Sequence, residues 1–189
     1  ADIEIQFCAA VTDPSGNTLA QPGIDRISRS SKGFSAPPYS TSYIDGTIKP
    51  NTYWDPTKYF NIWVLNLSNS LLGYAQFPSN SGLSGLNANG GAASTDGIVI
   101  LYTAFGRVGN VSAPYHKGRT ATHETGHWLG LRHIWGDGSC ATDYCGDTPT
   151  ADQSHSGCPS HPYHTNVCGG GSSPNGEMFM NYMDYTNDA

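Results

Sequence analysis

Apolar and polar residues alternate at the start of the chain, where Ile3, Ile5, Phe7 and Ala9 stand between more polar neighbours. That period of two predicts a half-buried strand running into the turn Asp13-Pro14-Ser15-Gly16. Two denser apolar runs follow, FNIWVLNL over residues 60–67 and GIVILY over 97–102, each β-branched enough for a central strand. Glycine-, serine- and asparagine-rich stretches such as SGLSGLNANGGAASTDG, residues 81–97, separate them and are expected as loops laid over the sheet. One segment has a helical pattern, TATHETGHWLGL over 120–131, with Gly130 near its end as the stop. Residues 134–189 show almost no periodicity and read as loops held by crosslinks or ions. The pattern predicts an α+β fold, with a sheet and one helix in residues 1–133 and an irregular, crosslinked region in 134–189.

Composition narrows this picture. A chain of 189 residues buries one substantial core, so residues 1–189 are read as a single domain. The net charge of -6, from 9 basic and 15 acidic residues, leaves no basic stripe for nucleic acid or anionic membrane. No run reaches the ~18 apolar residues of a spanning helix, and the start lacks the basic-then-apolar order of a signal peptide, so the expectation is an already processed chain. Four of five cysteines crowd between Cys140 and Cys168, which suits an oxidising, extracellular compartment. A cysteine-ligated structural zinc is disfavoured because no CxxC pair occurs. Secretion is therefore expected.

The chemistry is concentrated in His123-Glu124-Thr125-Gly126-His127, which continues through Gly130 to His133 as H-E-x-x-H-x-x-G-x-x-H. On a helix, imidazoles at i and i+4 project from one face and can reach one ion. His133 cannot join them by continuing that helix, since six more residues carry it about 9 Å along the axis. The chain must turn, and Gly130 is the residue suited to the positive φ that such a turn requires. Three neutral histidines leave a fourth zinc position open, as in catalytic rather than structural sites, and Glu124 stands beside the metal as a general base. A core helix with merely satisfied histidines would not explain Glu124, an unpaired buried charge on that reading.

The eleven-residue pattern resembles the metzincin clan of zinc endopeptidases, whose signature is completed by a later methionine-containing turn. Asn181-Tyr182-Met183-Asp184-Tyr185 looks like that turn. HETGHWLGLRHIWGD, CGDTP, GCPS and NYMDY, with IQFCAA and NIWVLNLSNSLLGYAQFP, together resemble the pappalysin family over most of the chain. The resemblance implies a zincin-like catalytic domain, its upper subdomain (1–133) a twisted mixed sheet with the active-site helix above an irregular, disulfide-stapled lower subdomain (134–189), with His123, His127 and His133 on zinc, Glu124 as base and Met183 as the apolar floor. It also implies that Tyr185 steadies the oxyanion. Taken alone, Met183 is ordinary core filling and Tyr185 an amphipathic surface residue.

Calcium is implied in the segment after the third histidine, where Asp137, Asp143, Asp147, Thr148 and Asp152 offer oxygen ligands among glycines, although a solvated acidic loop reads equally well. The family spacing implies a Cys140–Cys168 disulfide and a partner for Cys158 just past the methionine turn, beyond Ala189. Cys8 and Cys145 stay unassigned, and a Cys145–Cys168 bridge stays open. His116, His155, His161 and His164 fit no ligand spacing and are expected on surface loops.

The family domain also opens with a strand and a long helix ahead of the segment like residues 3–10, and closes with a helix after the methionine turn. Neither is recognisable here, so the chain is expected to be a fragment or a member without that packing. The implied activity is a secreted endopeptidase acting on an extended peptide or protein, with an inhibitory pro-segment among its candidate partners. The substrate is expected to pair with a sheet edge, for which 97–102 is the candidate. The family's microbial members imply a basic residue after the cut, with Asp184 or Asp188 supplying charge to the pocket. The rival reading is a non-catalytic, zinc-stabilised binding or adhesion module, disfavoured because Glu124 and Tyr185 are both present. A metal-dependent hydrolase of another amide is a third.

Overall fold

The computed structural model describes residues 4–165, 167–168 and 174–187. The chain divides into two compact units, residues 1–36 and 37–189. The first is built from turns: the Asp13 carboxylate accepts the amides of Ser15 and Asn17 at 2.9 and 2.8 Å, and short bridges join Thr12 to Thr18 and Gln21 to Ile24. The strand expected over residues 3–9 does not form in its described part. Ile5 and Phe7 are exposed, and no strand is assigned over residues 4–9. Alternation favours a strand only where a neighbouring edge and a covering layer exist, since unpaired strand backbone gains nothing over water.

The second unit is organised on three strands, β1 (Ile62–Leu65), β2 (Gly73–Ala75) and β3 (Ile98–Leu101), in the order β1-β3-β2. β1 runs parallel to β3, with Ile62 opposite Ile98, and β2 runs antiparallel to it, with Tyr74 opposite Val99. Ile98, Val99 and Ile100 are fully buried, as expected of a continuous apolar run in the middle of a sheet. β3 therefore has both edges occupied and cannot be the strand that pairs with a substrate. The edge beside the cleft belongs to β2.

The helix spans Arg119–Trp128, packs against β2 and β3, and is anchored by the Trp128 indole donating to Asp96 at 2.8 Å. Beneath the sheet Lys49 is buried with its ammonium 2.8 Å from Asp45 and over the Trp63 and Tyr74 rings. Past the helix the chain is irregular, as expected, and Cys140 is disulfide-bonded to Cys168. Cys8, Cys145 and Cys158 are free thiols, so the alternative Cys145–Cys168 bridge is not formed. A parallel pair, β4 (Ser156–Gly157) and β5 (Tyr185–Thr186), ties the 150s to the segment after Met183. Among the described residues no helix is long and apolar enough to cross a membrane.

Candidate metal centre

The helix ends in a turn that delivers the third histidine. The amide of Gly130 donates to His127 O and that of Leu131 to Gly126 O, the paired bonds of a Schellman cap, with Gly130 at φ +99°. A side chain at Gly130 would also meet Leu83 Cδ1 at 2.5 Å. The reversal folds His133 back towards the helix. His127 Nε2 lies 3.1 Å from both His123 Nε2 and His133 Nε2, and one ring nitrogen of each histidine falls within 4.8 Å of the others.

These donors fit zinc. Ligand nitrogens 2.0–2.1 Å from a tetrahedral zinc stand about 3.3 Å apart, close to the spacing found. Each opposite nitrogen is already engaged: His123 Nδ1 with Tyr182 O at 2.6 Å, His127 Nδ1 with Leu131 O at 2.8 Å, and His133 Nδ1 with the Asp137 carboxylate. Such partners fix the tautomer that turns an Nε2 lone pair inward. Burial pushes His123 and His127 down to about 4 and lowers His133 as well, while Tyr182 O, Leu131 O and Asp137 oppose the shifts at their own histidines. The three rings are therefore neutral donors near pH 7.

Glu124 is 6% exposed, and burial pushes its carboxyl up to about 8. It packs against Gly73 of β2, where a Cβ would come within 2.9 Å of Glu124 Oε1 and 2.8 Å of Val99 O. Gly73 thus admits the Glu124 side chain beside the sheet edge, a role its surrounding sequence did not signal. Met183 is buried with Ile134, Trp135 and Ala151, and its Sδ approaches the helix at Gly126. The Tyr185 ring stands 4.8 Å from that of His133 and 5.7 Å from that of His123, half exposed on the cleft. The cleft encloses about 910 Å³ and is bordered by Gly73, Tyr74, Glu124, the three histidines and Tyr185.

Several expected residues are placed otherwise. Asp184 borders the cleft, but its carboxylate accepts the amides of His155 and Tyr185, both at 2.8 Å, and meets His155 Nδ1 at 2.5 Å. Already enclosed by those donors, it is not a free charge for a substrate. Asp188 lies outside the described residues. His155, expected on the surface, is 4% exposed because Asp184 and Glu177 flank it; its Nε2 lies 3.1 Å from Glu177 Oε2 without hydrogen-bond alignment. His161 and His164 are exposed, and His116 is half-buried. Asp137 is turned to His133 rather than to its acidic neighbours. Asp143, Asp147 and Asp152 do not gather as the histidines do among the described residues, and one buried oxygen of Asp152 has no hydrogen-bond partner.

The sequence profile of Peptidase M43, described as pregnancy-associated plasma protein-A, matches residues 43–189. The chain belongs to this family. An M43 assignment agrees with its similarity to extracellular metalloprotease 1 of Coccidioides posadasii, 38% identical over 133 residues, covering 68% of this chain and 42% of that protein. An extracellular metalloprotease of Podospora anserina is 34% identical over 148 residues, covering 75% of the chain and 43% of its own length. Mature mirolysin of Tannerella forsythia, solved in complex with a cleaved peptide, superposes with a TM-score of 0.77 at 46% identity over 97% of this chain and 63% of that one. A promirolysin mutant superposes at 0.75 with 44% identity, covering 97% of this chain and 56% of its own. The M43 chain described here thus spans about two fifths of the curated relatives and under two thirds of mirolysin.

Proposed function

We propose that this M43 chain is the catalytic part of a secreted zinc endopeptidase, and the observation that carries the reading is the triangle of neutral imidazoles with a buried carboxyl beside it. His123, His127 and His133 would hold the metal, which supplies Lewis acidity for the scissile carbonyl when bound. Glu124 takes the proton of the attacking water and returns it to the departing amine, a task suited to a carboxyl that burial brings towards neutral pH. The Tyr185 hydroxyl donates to the oxygen on which negative charge develops. The exposed edge of β2 offers backbone groups to an extended peptide lying in the cleft that residues 69–137 and 156–187 line.

Finer features belong to the same proposal. A basic residue after the cut would rely on Asp188, because the Asp184 carboxylate is occupied. Calcium would bind among Asp143, Asp147, Thr148 and Asp152, which the orphaned oxygen of Asp152 supports. The extracellular names of the relatives support secretion, and promirolysin supports a pro-segment as a partner. A binding module that had lost catalysis has no use for the buried Glu124.

Cleavage of a peptide library by zinc-loaded protein, with and without chelator and beside Glu124→Ala, tests the proposal. Chelator-sensitive cutting that the variant lacks is expected. Equal cutting by the variant removes Glu124 as base, and no cutting by the native chain removes the enzymatic assignment.

A further inference from the structure

The three imidazoles are not held alike. Main-chain carbonyls of Tyr182 and Leu131 hold the outer nitrogens of His123 and His127, and those acceptors survive any side-chain substitution. His133 depends on a side chain, the Asp137 carboxylate. It also lies beyond the helix, so the helical backbone does not fix its ring. The ring is held between Trp135, stacked on it at 4.3 Å and 8° between planes, and the edge-on Tyr185 ring at 4.8 Å, which set its tilt, while the bond to Asp137 sets its rotation within that plane.

Asp137 is itself held for this task. Its backbone is in the left-handed region at φ 62°, which aspartate, asparagine and glycine tolerate and most residues resist. One carboxylate oxygen takes the His133 Nδ1 proton and the other takes Arg132 Nη2 at 3.2 Å. Arg132 also donates to Gly136 O at 3.1 Å and to Gly85 O at 3.0 Å. The 79–91 loop, the arginine, the carboxylate and the third imidazole thus form one continuous hydrogen-bonded chain.

We infer that Asp137 is a positioning residue for the metal centre, orienting His133 and strengthening it as a donor, with Arg132 holding the carboxylate in place. The inference rests on the zinc reading above. An anionic acceptor makes a stronger bond than a neutral carbonyl and pulls the Nδ1 proton, which leaves more electron density on Nε2. The same geometry removes Asp137 from the candidate calcium ligands, because both its oxygens are engaged elsewhere.

The test is zinc affinity, read by competition with a chromophoric chelator at fixed pH, for the native chain, Asp137→Asn and Asp137→Gly. Both variants tolerate the backbone at 137, so the loss of side-chain chemistry is separated from strain. Asparagine keeps an uncharged acceptor and glycine keeps none, so affinity should fall in that order, reaching ten- to hundredfold weaker for Asp137→Gly. Metal-free thermal unfolding should shift little, and turnover at saturating zinc should return to within a few fold with KM unchanged. Affinity within twofold of native for a folded Asp137→Gly overturns the inference. Should that variant fail to fold, an Asp137→Asn protein that binds zinc as tightly as the native chain overturns it instead. A native chain that takes up no zinc overturns the function as well.

Discussion

The approach of Met183 to the active-site helix can be tested through Gly126. In a helix interior, replacing glycine with alanine ordinarily stabilises by about 1 kcal/mol. Here a Cβ at residue 126 would fall 2.4 Å from Met183 Sδ and 3.3 Å from Met183 Cε. Ordinary carbon–sulfur contact needs more than a further ångström, and the sulfur sits mid-chain in a buried residue, so it cannot simply swing aside. Overpacking of this kind costs about 1–3 kcal/mol. Taking about 2, Gly126→Ala should destabilise the native chain by about 1 kcal/mol net. In a Met183→Ala background the obstacle is gone, and the same change should stabilise by about 1 kcal/mol. The sign reverses, with a coupling of about 2 kcal/mol. Urea unfolding of the four metal-free proteins at low temperature measures it, because Met183→Ala alone removes about 2–5 kcal/mol and leaves a narrow window. Equal effects of Gly126→Ala in both backgrounds would mean that Met183 does not lie under the helix.

Three further outcomes are expected. Gly130→Ala, forced to φ +99° and against Leu83, should lose about 1–3 kcal/mol and bind zinc more weakly because His133 is displaced; unchanged zinc affinity would separate the turn from the ligand. His123 and His127 are held near 4 against an ordinary 6.5, so the unfolded chain binds more protons than the folded one between those values. As pH falls from 6.5 the two histidines together withdraw up to about 2.8 kcal/mol per pH unit, while Glu124, raised to about 8 in the folded chain, returns about 1.4 down to its ordinary 4.5; the metal-free protein should therefore lose up to about 1.4 kcal/mol per unit between pH 6.5 and 4.5, and a flat urea midpoint over that window contradicts this. His155→Phe would take the imidazole from between the Asp184 and Glu177 carboxyls, leaving Asp184 its two backbone donors and Glu177 its bonds from Thr165, and should cost about 1–3 kcal/mol in urea unfolding, whereas a surface histidine would cost under about 0.5.

Which of these features the sequence could disclose follows from how far apart their causes lie along the chain. The histidine triangle is written in eleven consecutive residues, and the turn that closes it needs only one glycine at φ +99°, so spacing and backbone stereochemistry suffice. The apolar run 97–102 likewise announced a central strand, and its assignment as the substrate edge overlooked that a run without alternation is buried on both faces. His155 is different. A lone histidine among glycines and serines reads as surface, and it is buried only because Glu177 and Asp184, 22 and 29 residues later, are brought to either side of it where β4 pairs with β5. No local pattern encodes that meeting.

Asp137 shows the same limit from the opposite direction. An aspartate among glycines offers oxygen to any cation, and the family resemblance implies calcium there while a solvated acidic loop reads equally well. A left-handed backbone at 137 and an arginine at 132 direct it to an imidazole instead. The residue type fixes what a group can bind; long-range folding decides which partner arrives. Acidic loop residues are therefore where a motif-based reading of this family is weakest, and the order of zinc affinities across native, Asp137→Asn and Asp137→Gly proteins weighs one such assignment directly.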